Sequence, residues 1–205
     1  MTTTSAIRKK INQIPPGELF TTSIFLDLGS RAAVDQALSR EAEAERIQRV
    51  VRGVYVRPTK ASKQLGFVAM PGVEDVARKI VEDEGAVLQV HGAEAARRLG
   101  LSTQMPTRHV FLTNGARHQF RLGKAEVLIK SVSPKKLALA GRPAGLAHLA
   151  LLYLGKDQVG HEVLAKVQKR LPEEEFEALL GAKRALPGWL NYSLRKFTQS
   201  EETRV

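Results

Sequence analysis

Residues 19–58, LFTTSIFLDLGSRAAVDQALSREAEAERIQRVVRGVYVRP, decide how this chain is read. Thr21 and Thr22 are N-cap candidates for a short helix through Ser23, Ile24, Phe25 and Leu26, which Gly29 ends. Ser30 caps a second helix, from Arg31 to about Glu45. In it Val34, Ala37 and Leu38 recur at helical spacing, while Arg31, Asp35, Gln36, Ser39 and Arg40 fall on the opposite side. Ile47 to Val51, Arg52-Gly53 and Val54 to Arg57 then read as a hairpin ended by Pro58, because β-branched runs flank a Gly. Helix, turn, helix and ribbon in this order spell a winged helix-turn-helix, an arrangement that usually meets duplex DNA.

The residue types suit that chemistry. A helix laid in the major groove needs small or polar side chains near its N-terminus so that the backbone can approach, and Arg and Gln that reach guanine and adenine edges. Ser30, Arg31, Ala32, Asp35, Gln36, Ser39 and Arg40 form the candidate DNA-binding face, with Arg40 aimed at phosphate. A wing needs cations at its tip because phosphates wall the neighbouring groove, and Arg49 and Arg52 supply them.

The chain resembles the AbiEi-type antitoxins of bacterial type IV toxin-antitoxin (abortive infection) systems, in particular shorter members with a DUF6088-like architecture. The resemblance rests on Ile14-Pro15-Pro16-Gly17 before Leu19-Phe20-Thr21, on Gly29 to Arg40, and on Ile47 to Val56. It extends more loosely through His91-Gly92 to Leu101, Val110 to Gly115, and Ser133 to Gly141. It implies an N-terminal winged helix-turn-helix, a C-terminal antitoxin domain, repression of its own operon from an inverted-repeat operator, and antagonism of a nucleotidyltransferase-like toxin. The chain departs from the pattern at Glu41 to Glu45. Such motifs place a large apolar residue at the first of these positions and a Gly before the ribbon.

At 205 residues the chain has room for two small domains. The fold class expected is α+β: a winged helix-turn-helix over residues 1–60, a linker over 61–72, a mixed α/β antitoxin-like domain over 73–197, and a frayed tail over 198–205. Ile7, Ile11 and Ile14 add a helix stripe to the first domain, whose core is expected to enclose Ile24, Leu26, Val34, Leu38, Ile47 and Tyr55. Cys is absent, which excludes disulfides and thiolate metal sites. No apolar run is long enough for a signal peptide or a membrane span, so a soluble cytoplasmic protein without a membrane partner is expected.

The net charge of +11 is unevenly spread. Arg97, Arg98, Arg108, Arg117, Arg121, Lys124, Lys130, Lys135, Lys136 and Arg142 stand against one acid in their segment, Glu126. They are candidate further contacts to phosphate or to a protein partner. In the second domain, helices are expected from Val73 to Glu84, Ala93 to Leu99 and His161 to Leu171. Strands are expected at Ala86 to Val90, His109 to Thr113, Gln119 to Leu122 and Glu126 to Val132. A helical region from Ser133 to Leu154 is broken at Gly141 to Gly145, and Glu173-Glu174-Glu175 opens a helix whose positive end favours carboxylates. A last helix follows Pro187-Gly188.

Catalysis has no positive sign. The five histidines, His91, His109, His118, His148 and His161, have no metal-ligand spacing, and Gly141 to Gly145 lacks the Gly-Lys-Ser/Thr ending of a phosphate loop. No cofactor is expected. The rival reading is a plain winged-helix regulator whose C-terminal domain binds a protein partner or RNA, although few aromatics lie among its cations.

Overall fold

Gly53, with φ +80, turns the chain between β2 (Gln48–Val51) and β3 (Val54–Val56), and β1 (Leu19–Thr21) adds to the other edge of β3. The computed structural model describes residues 3–59 and 70–202, and among these it is a mixed α+β molecule with eight α-helices and two sheets. Its contacts divide it into two units, residues 1–85 with 120–126, and 86–119 with 127–205. Residues 61–69 of the expected linker, and residues 203–205 of the expected tail, lie outside the described residues.

In the first unit α1 (Thr3–Gln13) packs on α2 (Arg31–Glu43), and the sheet order is β1-β3-β2, antiparallel throughout. The core is Ile7, Ile11, Phe20, Phe25, Val34, Ala37, Leu38, Ile47 and Tyr55. Phe20 stacks on Tyr55 with centroids 5.9 Å apart and meets Phe25 edge-on at 5.8 Å.

The structure of this unit differs from the sequence expectations around β1. The segment expected as a helix through Leu26 is a single 3-10 turn, Thr22–Phe25, preceded by a strand. With three residues per turn, Thr22 and Phe25 share the inward side, so Leu26 is 45% exposed rather than in the core, and Ile24 is only partly buried. Thr21 does not cap that turn. Its hydroxyl donates to Asp83 Oδ1 at 2.6 Å, as does that of Ser23, so that α3 (Val73–Asp83) is tied to β1 within the first unit. The sequence begins the second domain at residue 73, whereas contacts group α3 with the N-terminal residues.

The second unit is built on the sheet β4-β5-β7-β6, where β4 (Leu88–Val90) runs antiparallel to β5 (His109–Thr113) and β5 parallel to β7 (Ala125–Ser131). β6 is His118–Leu122. The tip of the β6–β7 hairpin, 120–126, is the part grouped with the first unit.

The helices of this unit are α4 (Gly92–Arg98), α5 (Pro143–Leu154), α6 (His161–Arg170), α7 (Glu173–Gly181) and α8 (Gly188–Glu202). α4 lies close on α5 because Gly92 has no side chain: a Cβ there would stand 2.5 Å from the Leu149 carbonyl oxygen. The expected break at Gly141 to Gly145 ends sooner, since α5 already starts at Pro143 and Gly145 lies inside it against the Leu139 carbonyl. The expected tail is helical as far as Glu202. Phe197, just before it, is buried, and His161 hydrogen-bonds Glu201 within it at 3.0 Å.

Candidate nucleic-acid interface

The face begins at a helix end. Ser30 has extended backbone and its hydroxyl accepts from Ala33 N at 3.4 Å, which fixes where α2 starts. Val34, Ala37, Leu38 and Glu41 face inward, and Ser30, Arg31, Ala32, Asp35, Gln36, Ser39 and Arg40 are all exposed. Arg31 Nε donates to both Asp35 oxygens at 3.0–3.1 Å, and Ser39 donates to Glu43 at 3.2 Å, so these two side chains are held along the helix. Gln36 and Arg40 have no such partner among the described residues.

The hairpin is tied to the 3-10 turn that precedes α2. Thr22 N donates to Gly53 O at 3.2 Å, anchoring the turn, and Arg49 and Arg52 are exposed on it. Arg49 pairs across the strands with Tyr55. Burial pushes the Tyr55 phenol up; the Arg49 charge opposes this, Asp35 adds to it and Arg31 opposes it. The charges of Arg49 on β2 and of Asp35 and Arg31 on α2 thus all act on one phenol. A donor-rich helix and a two-cation hairpin are the parts with which a protein meets a groove and its flanking phosphates.

Glu41, the departure from the sequence pattern, is 1% exposed. Its carboxylate accepts from Arg8 Nε at 3.0 Å, from Arg46 Nε at 2.5 Å and from Arg46 Nη2 at 3.0 Å. Its own carbonyl accepts from Arg46 N and Ile47 N. The Arg46 hydrogen bond holds this carboxyl below its ordinary range against the opposing effect of burial, and Arg8 adds to the lowering. The apolar stripe is thus closed by an ion pair that joins α1, α2 and the entry to β2. Sequence reasoning marked the position but not its partners, because Arg8 lies 33 residues away. Past it, Glu45 takes φ +54, the conformation that the Gly of the family pattern adopts freely.

Of the ten further cations, at least four are ion-paired. Arg97 and Arg98 both bind Glu94, an acid just outside the counted segment, whose carboxyl Arg97 draws down to about 2. Arg121 pairs with Glu126 at 2.5 Å, in the first unit. Arg142 pairs with Glu175. Arg108, Arg117, Lys124, Lys130, Lys135 and Lys136 are exposed, with Lys124 in the first unit and the others in the second.

Glu175 also accepts from Ala144 N at 2.9 Å. The third glutamate of the acidic helix start thus fills the N-terminus of α5, the place where a phosphate would sit in the Gly141 to Gly145 turn. Burial, with Lys130 and Lys136 nearby, holds His91 below its usual pKa, and its Nδ1 accepts from Ala93 N at the start of α4. His148 is 1% exposed with neither ring nitrogen hydrogen-bonded, and burial lowers its pKa too. Among the described residues no three His, Asp or Glu side chains could hold a metal ion together, and no helix is long and apolar enough to cross a membrane.

A family model, DUF6088, described as a family of unknown function, matches residues 6–179. No curated protein and no solved structure matches the chain.

Proposed function

Because the chain belongs to the DUF6088 family, whose function is unknown, no activity comes with the name, and we propose from its residues that it is a sequence-specific DNA-binding regulator. The order α1, β1, 3-10 turn, α2, β2, β3 with sheet order β1-β3-β2 supports reading residues 3–56 as a winged helix-turn-helix. The observation that carries the proposal is the Ser30-capped α2, whose polar side is exposed, in the same unit as a ribbon that exposes Arg49 and Arg52. In this reading Arg31, Gln36 and Ser39 touch base edges, and Arg40, Arg49 and Arg52 hold phosphates or the minor groove.

Fluorescence anisotropy on the fragment upstream of the gene, at low ionic strength, tests it. Arg31→Ala and Gln36→Ala each cost about 1–3 kcal/mol on the specific site and little on random duplex. Arg52→Ala weakens both alike and lowers the salt dependence. Equal loss on both duplexes for Arg31 and Gln36 removes base reading by α2, and no binding removes the function.

The resemblance to AbiEi-type antitoxins supports a further step, autorepression from an inverted repeat together with antagonism of a nucleotidyltransferase-like toxin. Growth rescue on co-expression with such a toxin from the neighbouring gene tests that step. Failure of rescue, with operator binding intact, leaves a plain regulator.

A further inference from the structure

The last helix, α8, has one buried side and one bare one. Leu190, Leu194 and Phe197 are buried, with α6 and α7 as neighbours. Tyr192, Arg195 and Lys196 are exposed, at the i, i+3, i+4 spacing that aligns them in a single stripe. Tyr192 is 58% exposed, and the Arg195 guanidinium lies 6.0 Å from its ring centroid.

This tyrosine is a ridge between two clefts. One, of about 340 Å³, has Leu164 and Phe197 on its wall and Lys196 at its rim; the other, of about 700 Å³, has Leu180 and Leu194 with Lys183 and Arg195. Tyr192 lines both, and among the described residues neither is lined by a carboxylate. Lys183, Arg195 and Lys196 have no ion-pair partner there either. Asn191 donates to the carbonyls of Lys183, at 2.9 Å, and Leu186, so the turn that carries Lys183 is fastened to the start of the helix.

We propose that this face of α8 is a docking surface for an acidic amphipathic segment of another protein. The clefts offer apolar walls on both sides of a rigid aromatic, and Tyr and Arg are the residues that dominate such contacts when covered. Three cations, Lys183, Arg195 and Lys196, stand at the rim against one nearby carboxylate, Glu201, which His161 engages at 3.0 Å, so the occupant carries Glu or Asp beside its apolar residues. A second copy of the same face would bring like charges together. Single-stranded nucleic acid stacks on successive aromatics, whereas this face has one ring between aliphatic walls.

The test uses the full chain and a fluorescent synthetic peptide of about 18 residues, Leu on one helical face and Glu flanking it. The peptide binds, and Tyr192→Ala and the double change Arg195→Glu, Lys196→Glu each weaken it at least about tenfold. A Lys-for-Glu version of the peptide binds the double variant better than the original chain. Circular dichroism and melting show the variants folded, and their unchanged operator binding separates this surface from the proposed DNA-binding face. The proposal is overturned if the peptide does not bind, if the variants bind as the original does, or if a pattern-scrambled peptide binds equally. It is also overturned if single-stranded oligo(dT) or oligo(U) binds more tightly and loses affinity in the same variants, or if the face proves to be covered by self-association.

Discussion

Replacing Glu41 by Gln and by Leu separates two roles that one buried carboxylate could have. Glutamine keeps the shape and removes the charge. Charge-assisted hydrogen bonds contribute about 1.5–3 kcal/mol each, but Arg8 and Arg46 remain 51% and 42% exposed and regain water when released. The net loss is therefore about 2 kcal/mol, below the 3–5 kcal/mol typical of stranding a buried charge. Leucine instead continues the Val34 and Leu38 stripe and leaves two arginines that solvent accepts, so Glu41→Leu stays within about 1 kcal/mol of the original.

Amide hydrogen exchange over α2, corrected for intrinsic rates, reads this unit without requiring the whole chain to unfold in one step. Glu41→Gln lowers protection about thirtyfold and Glu41→Leu changes it little. The folded carboxyl titrates below its unfolded value of about 4.3, so the ion-pair contribution is complete above that pH. It disappears as pH falls through the lowered folded value, and the original and the Gln variant converge in acid. If Leu is as damaging as Gln, or Gln is silent at neutral pH, the ion pair is not what closes the stripe.

Three further outcomes follow from other positions. Glu45→Gly relieves the φ of +54 and raises protection at the end of α2 by about 0.5–1 kcal/mol, whereas Glu45→Val lowers it. Gly145→Ala places a Cβ 1.9 Å from the Leu139 carbonyl oxygen and lowers stability by about 3 kcal/mol or more, seen as lost melting temperature, while Gly181→Ala, with open space around it, is tolerated. His148 is kept neutral by burial and has a lowered folded pKa, so the unfolded chain binds the extra proton below pH about 6.5. Stability then falls by up to about 1.4 kcal/mol for each further pH unit, and His148→Leu flattens that slope in urea midpoints taken from pH 7.5 down to about 5.

What the sequence revealed was local. The Ser30 cap, the inward Val34, Ala37 and Leu38, and the hairpin about Gly53 follow from spacing and turn chemistry within a few residues. Errors arose where distant residues decide. Leu26 looked like core, but Phe20 and Phe25 occupy it because the segment winds three residues to the turn. Thr21 looked like a cap, but Asp83, 62 residues on, takes its hydroxyl. The Arg97 to Arg142 run counts one acid against its ten cations, whereas Glu94 and Glu175, from outside it, pair with three of them. In the candidate interface, the exposed set on α2 was visible in the sequence; the bond from Arg31 to Asp35 and the cross-strand pairing of Arg49 with Tyr55 were not.

The bonds from Thr21 and Ser23 to Asp83 have a practical corollary for anyone trimming the protein. α3 packs against β1, an outer strand of a three-stranded sheet. A truncation ending at residue 60 would remove that helix and bare a row of unpaired amides and carbonyls, the template on which neighbouring molecules zip together. Such a fragment would precipitate or pair with itself, whereas one carried through residue 85 would keep its flank guarded, a contrast that light scattering on the two would register.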